Sequence, residues 1–187
     1  MINPLFDQEI YKILTLFSLS PGSRLRRNDI KEKTRLNNIP LDNSMLRLIS
    51  SQVILKEKNL YSLNLAKKQI KQLIKIIKKD YIYLKELPID VYYSLIDIID
   101  ILCLEKNIKV FLFGSYAKLI YSRKSDVDIA VIHNPDLKKT GLNKKIKKIE
   151  KRYGKNIELH FFEKKGFYKN KKDPLVKGIL KDGVKLI

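Results

Sequence analysis

IKVFLFGSYAKLIYSRKSDVDIAVI, residues 108–132, is the stretch that decides the fold. Lys109 to Phe113 is short, apolar and β-prone, and reads as a strand. Gly114-Ser115 stands at its end. Tyr116 to Ser122 fits a short helix. Ser125-Asp126 then leads into a second apolar strand, Val127 to Ile132. Asp126 and Asp128 are two positions apart, so on a strand their carboxylates leave the same face.

Each part has a chemical reason. Glycine has no Cβ and lets the backbone come close to a phosphate. Amides at a helix start receive anions, and a serine hydroxyl adds a donor. Two carboxylates on one strand face repel unless a cation lies between them, and hard oxygen ligands suit Mg²⁺. A cation there can also meet phosphate oxygens held at the Gly-Ser turn, which is a geometry for phosphoryl or nucleotidyl transfer.

Gly114-Ser115, nine residues, then Ser125-Asp126-Val127-Asp128 and an apolar strand resembles the signature of the nucleotidyltransferase superfamily related to DNA polymerase beta. The similarity is greatest to its small, minimal nucleotidyltransferases. It extends over about residues 90–187, with its diagnostic part between Gly114 and Asp128. The resemblance implies a mixed sheet flanked by helices. It implies nucleotide contacts at Gly114, Ser115, Lys118 and Ser125, with Mg²⁺, in two ions, on Asp126 and Asp128. It also implies a third carboxylate on a later strand, as metal ligand and as base for the attacking hydroxyl. KNIELHFFE, residues 155–163, offers Glu158, with Glu163 the alternative. His160 shares the strand face of Glu158 and reads either as a substrate contact or as a packing residue. Many relatives carry Ala-Arg-Gly after Gly-Ser-x, where this chain has Ala117-Lys118-Leu119. Lysine keeps the charge but loses the planar fork of arginine, which puts nucleotide selectivity and activity in question. The end, DPLVKGILKDGVKLI, fits the amphipathic helix and short strand with which such transferases often finish.

Upstream, residues 7–18 place Ile10, Ile13, Leu14 and Phe17 on one helical face, with Asp7 as cap. A second helix is expected from Arg27 to Leu36, with NNIP at 37–40 breaking it. A third is expected from about Leu41 to Ser50, with Asp42 or Asn43 near its start and Met45, Leu46 and Ile49 buried. QVILK and LYSLN around EKN read as a β-hairpin. Three helices and a two-stranded ribbon resemble the layout of a winged helix-turn-helix domain. In that family the third helix enters DNA, so Asn43, Ser44 and Arg47 are the candidate DNA contacts, with Lys56 and Lys58 in the wing. A protein-contact or dimerisation role is the competing reading. Residues 65–86 and 89–105 show helical spacing on either side of Pro88, the second with Asp97 and Asp100 away from its apolar face. The expected division is 1–65, connecting helices at 66–106, with the second packing on the catalytic domain, and a transferase domain at 107–187.

The chain has 187 residues, with 39 Lys and Arg against 20 Asp and Glu, a net +19. Residues 134–187 carry +11 of this, and residues 1–65 only +4. The excess therefore points to an acidic acceptor near the C-terminal segment, protein or RNA, more than to a DNA reader. A Lys/Ile-biased composition explains such charge equally well. The run Lys164 to Lys172 is either part of an acceptor surface or a solvated loop. One cysteine and two histidines exclude disulfide frameworks and His- or Cys-rich metal clusters. No segment approaches the ~18 apolar residues of a membrane span. MINPLFDQEIYK lacks signal-peptide character, so a cytoplasmic protein is expected. The reading is an α+β chain: a winged helix-turn-helix followed by a nucleotidyltransferase-fold domain. It would transfer a nucleoside monophosphate, by default from ATP, to an acceptor hydroxyl. The alternatives are a DNA-binding regulator with a nucleotide-sensing or inactive transferase domain, and an antitoxin-like partner of a helical toxin.

Overall fold

Asp7 begins the first helix by accepting the backbone N–H groups of Glu9 (3.1 Å) and Ile10 (3.2 Å). The computed structural model describes residues 7–82, 84–105, 107–137 and 141–187. The chain divides between Lys85 and Glu86 into two units.

In the first unit α1 (Gln8–Leu19) is followed by β1 (Leu25–Arg26), α2 (Arg27–Thr34), α3 (Asn38–Ser50), β2 (Ile54–Glu57), β3 (Leu60–Leu63) and α4 (Lys68–Ile82). The strands form an antiparallel sheet in the order β1-β3-β2. Phe17, Ile13, Ile30, Leu41 and Ile54 are fully buried in its core. The third helix corrects the sequence reading. It starts at Asn38, and Pro40 sits in its first turn, where a missing N–H leaves no hydrogen bond unmade. The buried face therefore runs through Leu41, Ser44, Met45 and Leu48, at helical spacing. Ser44 is 4% exposed and does not face outward, whereas Leu46 is 64% exposed. Asn43 and Arg47 are exposed. Asp42 does not start the helix; it holds Arg27 in a two-bonded pair at 2.6 and 2.8 Å, tying α2 to α3.

The 66–106 segment holds two helices. α4 packs against α1 and belongs to the first unit, because Ile70, Ile74 and Ile77 need that apolar cover. The next helix, α5 (Ile89–Leu102), belongs to the second unit.

There the order continues with β4 (Lys109–Phe113), α6 (Gly114–Ala117), β5 (Val127–His133), α7 (Leu142–Tyr153), β6 (Ile157–Glu163), α8 (Lys164–Lys169), α9 (Pro174–Asp182) and β7 (Val184–Lys185). The sheet order is β6-β5-β4-β7, with β5 and β6 parallel and the other pairs antiparallel. On one face Phe113, Ala130 and Ile132 pack with Phe167 of α8 and with Val176 and Ile179 of α9. Val110, Leu112, Ile129 and Val131 alternate onto the other face and are fully buried. α5 packs on α7. Asp97 was expected at the surface of α5. It is instead 4% exposed and accepts from Arg152 (2.9 Å) and Tyr153 (2.8 Å) of α7. Burial and the adjacent Asp97 charge push the Tyr153 phenol well above its ordinary range. The run from Lys164 includes a helix, α8, anchored by buried Phe167. No helix among the described residues is long and apolar enough to cross a membrane.

Candidate active site

The site lies at one end of the second sheet, where β4 stops and β5 and β6 start. Phe113 is paired with Asp128 across the antiparallel β4–β5 ladder. Gly114 follows with φ +71°, a conformation that side-chain-bearing residues rarely adopt. A Cβ on it would stand 2.1 Å from Oδ2 of Asp128, so the turn brings bare backbone against that carboxylate. The helix expected over Tyr116 to Ser122 is only one turn long. Leu119 takes a left-handed φ of 58° and the Ile120 N–H returns to the Ser115 carbonyl at 3.0 Å, which closes the turn.

The parallel β5–β6 pairing places Glu158 beside Asp128 and His160 beside Ala130. The side-chain period of two puts Asp128, Glu158 and His160 on one face. One ligand atom from each of these three lies within 4.8 Å of the others. Nε2 of His160 is 3.4 Å from Oε2 of Glu158. The imidazole stands edge-on to the Phe113 ring, with centroids 5.1 Å apart. Burial pushes the Asp128 carboxyl up. The Glu158 charge adds to this, His160 opposes it, and Asp126 raises it further. A half-buried carboxylate facing two others is a place that gains from a cation.

The expected residues are not all brought together. Gly114, Asp128 and Glu158 are. Ser115 continues the turn after Gly114 and is half-buried. Asp126 precedes β5 and is near enough to act on Asp128, but its carboxylate is outside the compact three-residue set. His160 takes the third place. Its only sequence signal was the shared strand face with Glu158. Lys118 turns to Asp182 at the end of α9, at 3.4 Å. The Ser125 hydroxyl accepts the Ser122 N–H at 2.8 Å and so fixes the loop before Asp126. Asn43, Ser44 and Arg47 belong to the other unit. Arg47 there pairs with Asp7 at 3.3 Å.

The donors suit a divalent cation. Two ligands around a cation such as Mg²⁺ stand at most about 4.2 Å apart, twice the ~2.1 Å metal–oxygen distance. The observed set is wider by less than an ångström, within the reach of a side-chain torsion.

Residues 95–186 match the family described as nucleotidyltransferase domain. This half of the chain is a nucleotidyltransferase domain. No curated protein and no solved structure gave a significant match. The matched span begins within α5 and ends at Leu186, so the nucleotidyltransferase domain takes in the whole carboxylate site. Domains of this kind generally use a nucleoside triphosphate and a divalent metal, and Asp128, Glu158 and His160 form a group that could hold an ion.

Proposed function

We propose that the chain transfers a nucleoside monophosphate from a nucleoside triphosphate, ATP by default, to a hydroxyl of an acceptor, with release of pyrophosphate. The observation that carries this is the bare Gly114 turn pressed against Asp128, with Glu158 beside it on the parallel strand. Gly114 and Ser115 would hold the triphosphate through backbone N–H groups and the Ser115 hydroxyl. Asp126, Asp128 and Glu158 would hold the divalent cation, for which the carboxylates alone suit Mg²⁺. When bound, the cation supplies charge neutralisation to the triphosphate. Glu158, half exposed, would accept the proton of the attacking hydroxyl. The hydroxyl oxygen bonds to the α-phosphorus as the bond to the pyrophosphate oxygen breaks.

The acceptor is read from charge. Lys144, Lys145, Lys147, Lys148 and Lys151 of α7 are all exposed, as are Lys164, Lys165 and Lys169 of α8. Such faces favour an acidic acceptor, RNA or protein. The test is a labelled-triphosphate screen against total RNA and protein. Wild type should label an acceptor. The double variant Asp126→Asn, Asp128→Asn should lose at least about 10²–10³-fold, the scale of a lost electrostatic contact in transfer chemistry. Wild type that neither binds nor uses any triphosphate would sink the reading.

A second reading has one observation in its favour. The order helix, strand, helix, helix, hairpin in the first unit fits a winged helix. DNA contact, or a dimer contact, would then use exposed Asn43 and Arg47. Salt-dependent DNA binding that survives both Asp substitutions would favour a regulator over an enzyme.

A further inference from the structure

The metal site departs from an all-oxygen set, and the departure concerns which ion it takes. Asp126 is outside the compact group, and His160 stands inside it. The His160 ring is partly exposed, but its Nε2 is buried and has no hydrogen-bond partner. A histidine kept for packing satisfies its buried nitrogen, because leaving it unpaired costs free energy. Glu158 does not satisfy it, since 3.4 Å is beyond ordinary hydrogen-bond length. Phe113 sets the ring edge-on from one side, which limits its rotation. Nε2 thus lies beside Asp128 and Glu158 with no hydrogen-bond partner.

We propose that His160 Nε2 is a metal ligand beside Asp128 and Glu158, and that the site prefers a first-row transition ion to Mg²⁺. The proposal rests on the nucleotidyltransferase reading only for the presence of a divalent cation. The chemistry is that of the donor set. Mg²⁺ takes oxygen ligands and gains little from imidazole. First-row transition ions accept imidazole and carboxylate together. Mn²⁺ is the most stringent probe, because among these ions it is the nearest to Mg²⁺ in its liking for oxygen. Three protein donors leave open positions for phosphate oxygens.

The test uses the full chain without nucleotide. Calorimetric titration should show Mn²⁺ binding at least about tenfold tighter than Mg²⁺. Pulsed electron paramagnetic resonance of bound Mn²⁺ should show coupling to a nitrogen that shifts on ¹⁵N-histidine labelling. His160→Gln should lose that coupling and weaken Mn²⁺ by about tenfold, with Mg²⁺ affinity within about twofold. His160→Asp makes an all-carboxylate set and should lower the Mn²⁺ to Mg²⁺ preference by tightening Mg²⁺. It also covers the case in which the glutamine variant folds poorly. Equal loss of both ions, an unchanged preference in both variants, or no nitrogen coupling would overturn the proposal. Triphosphate turnover with an unchanged preference defeats this proposal alone. His160-dependent Mn²⁺ binding without any triphosphate binding defeats the transferase reading alone.

Discussion

The third helix of the first unit and the carboxylate site of the second were both read as functional surfaces, and their charges are arranged in opposite ways. The two charged residues of α3 itself are matched. Arg27 holds Asp42 with two bonds and Arg47 meets Asp7. At the strand ends of the second unit Asp126 and Asp128 have no cationic side chain paired with them among the described residues. Glu158 has only His160. Matched charges hold secondary structure together. Unmatched, half-buried ones cost stability, and the chain retains that cost where something from outside supplies the missing charge.

The largest effect is expected at Gly114. Gly114→Ala adds a Cβ where Asp128 already stands and strains a positive φ. Turnover should fall by at least about 10²-fold, measured as pyrophosphate release, because a misplaced reacting geometry costs about that much. Full activity in this variant would show that the close approach does not matter.

Next is the structural pair in the same domain. Arg152→Ala removes the guanidinium that donates to the buried Asp97 carboxylate at 2.9 Å. The loss in denaturant unfolding should be about 2–3 kcal/mol, below the usual range for a buried pair because Arg152 is itself partly exposed. A loss confined to activity would mean that the pair serves the site.

Asp128 offers a smaller, pH-dependent effect. Its carboxyl is pushed up in the folded protein, so the folded form keeps the proton to higher pH than the unfolded chain. Its contribution to stability therefore falls as pH rises through that raised pKa. Without divalent metal, Asp128→Asn should match wild type in acid and exceed it at neutral pH in thermal unfolding. Adding Mn²⁺ should reverse the neutral order. A variant less stable at neutral pH without metal would contradict the unmatched-charge account.

The smallest effect is expected at Arg47. Arg47→Ala removes a surface pair that is 64% exposed on the arginine side, worth at most about 1 kcal/mol. Loss of DNA affinity with unchanged stability would give that face a function after all.

Legibility followed the range over which each feature is determined. Gly114, Asp126 and Asp128 lie within one short stretch, and the third carboxylate that the family resemblance implies leads to Glu158 on the next alternating strand. The place of His160 depends on how β6 pairs beside β5 and on the Phe113 ring, which no local pattern records. Asp97 looked like a solvent residue because its partners are 55 and 56 positions away. The third helix begins earlier than its sequence suggests because Pro40 fits the first helical turn, and its face turns Ser44 inward and Leu46 outward. The sixth helix is shorter than its sequence suggests because the left-handed turn at Leu119 has no glycine to announce it.

The parallel register of β5 and β6 also makes the site sensitive to insertions and deletions. α7 is held to α5 through Arg152 and Tyr153, and the β6 pairing starts at Ile157, so the link between them is short and fixed at both ends. A single residue gained or lost between Gly154 and Glu158 would slip β6 by one position. Leu159 or Ile157 would then stand beside Asp128, and both Glu158 and His160 would turn to the opposite face of the sheet. The short link from Gly154 to Ile157 thus sets the reading frame of the site.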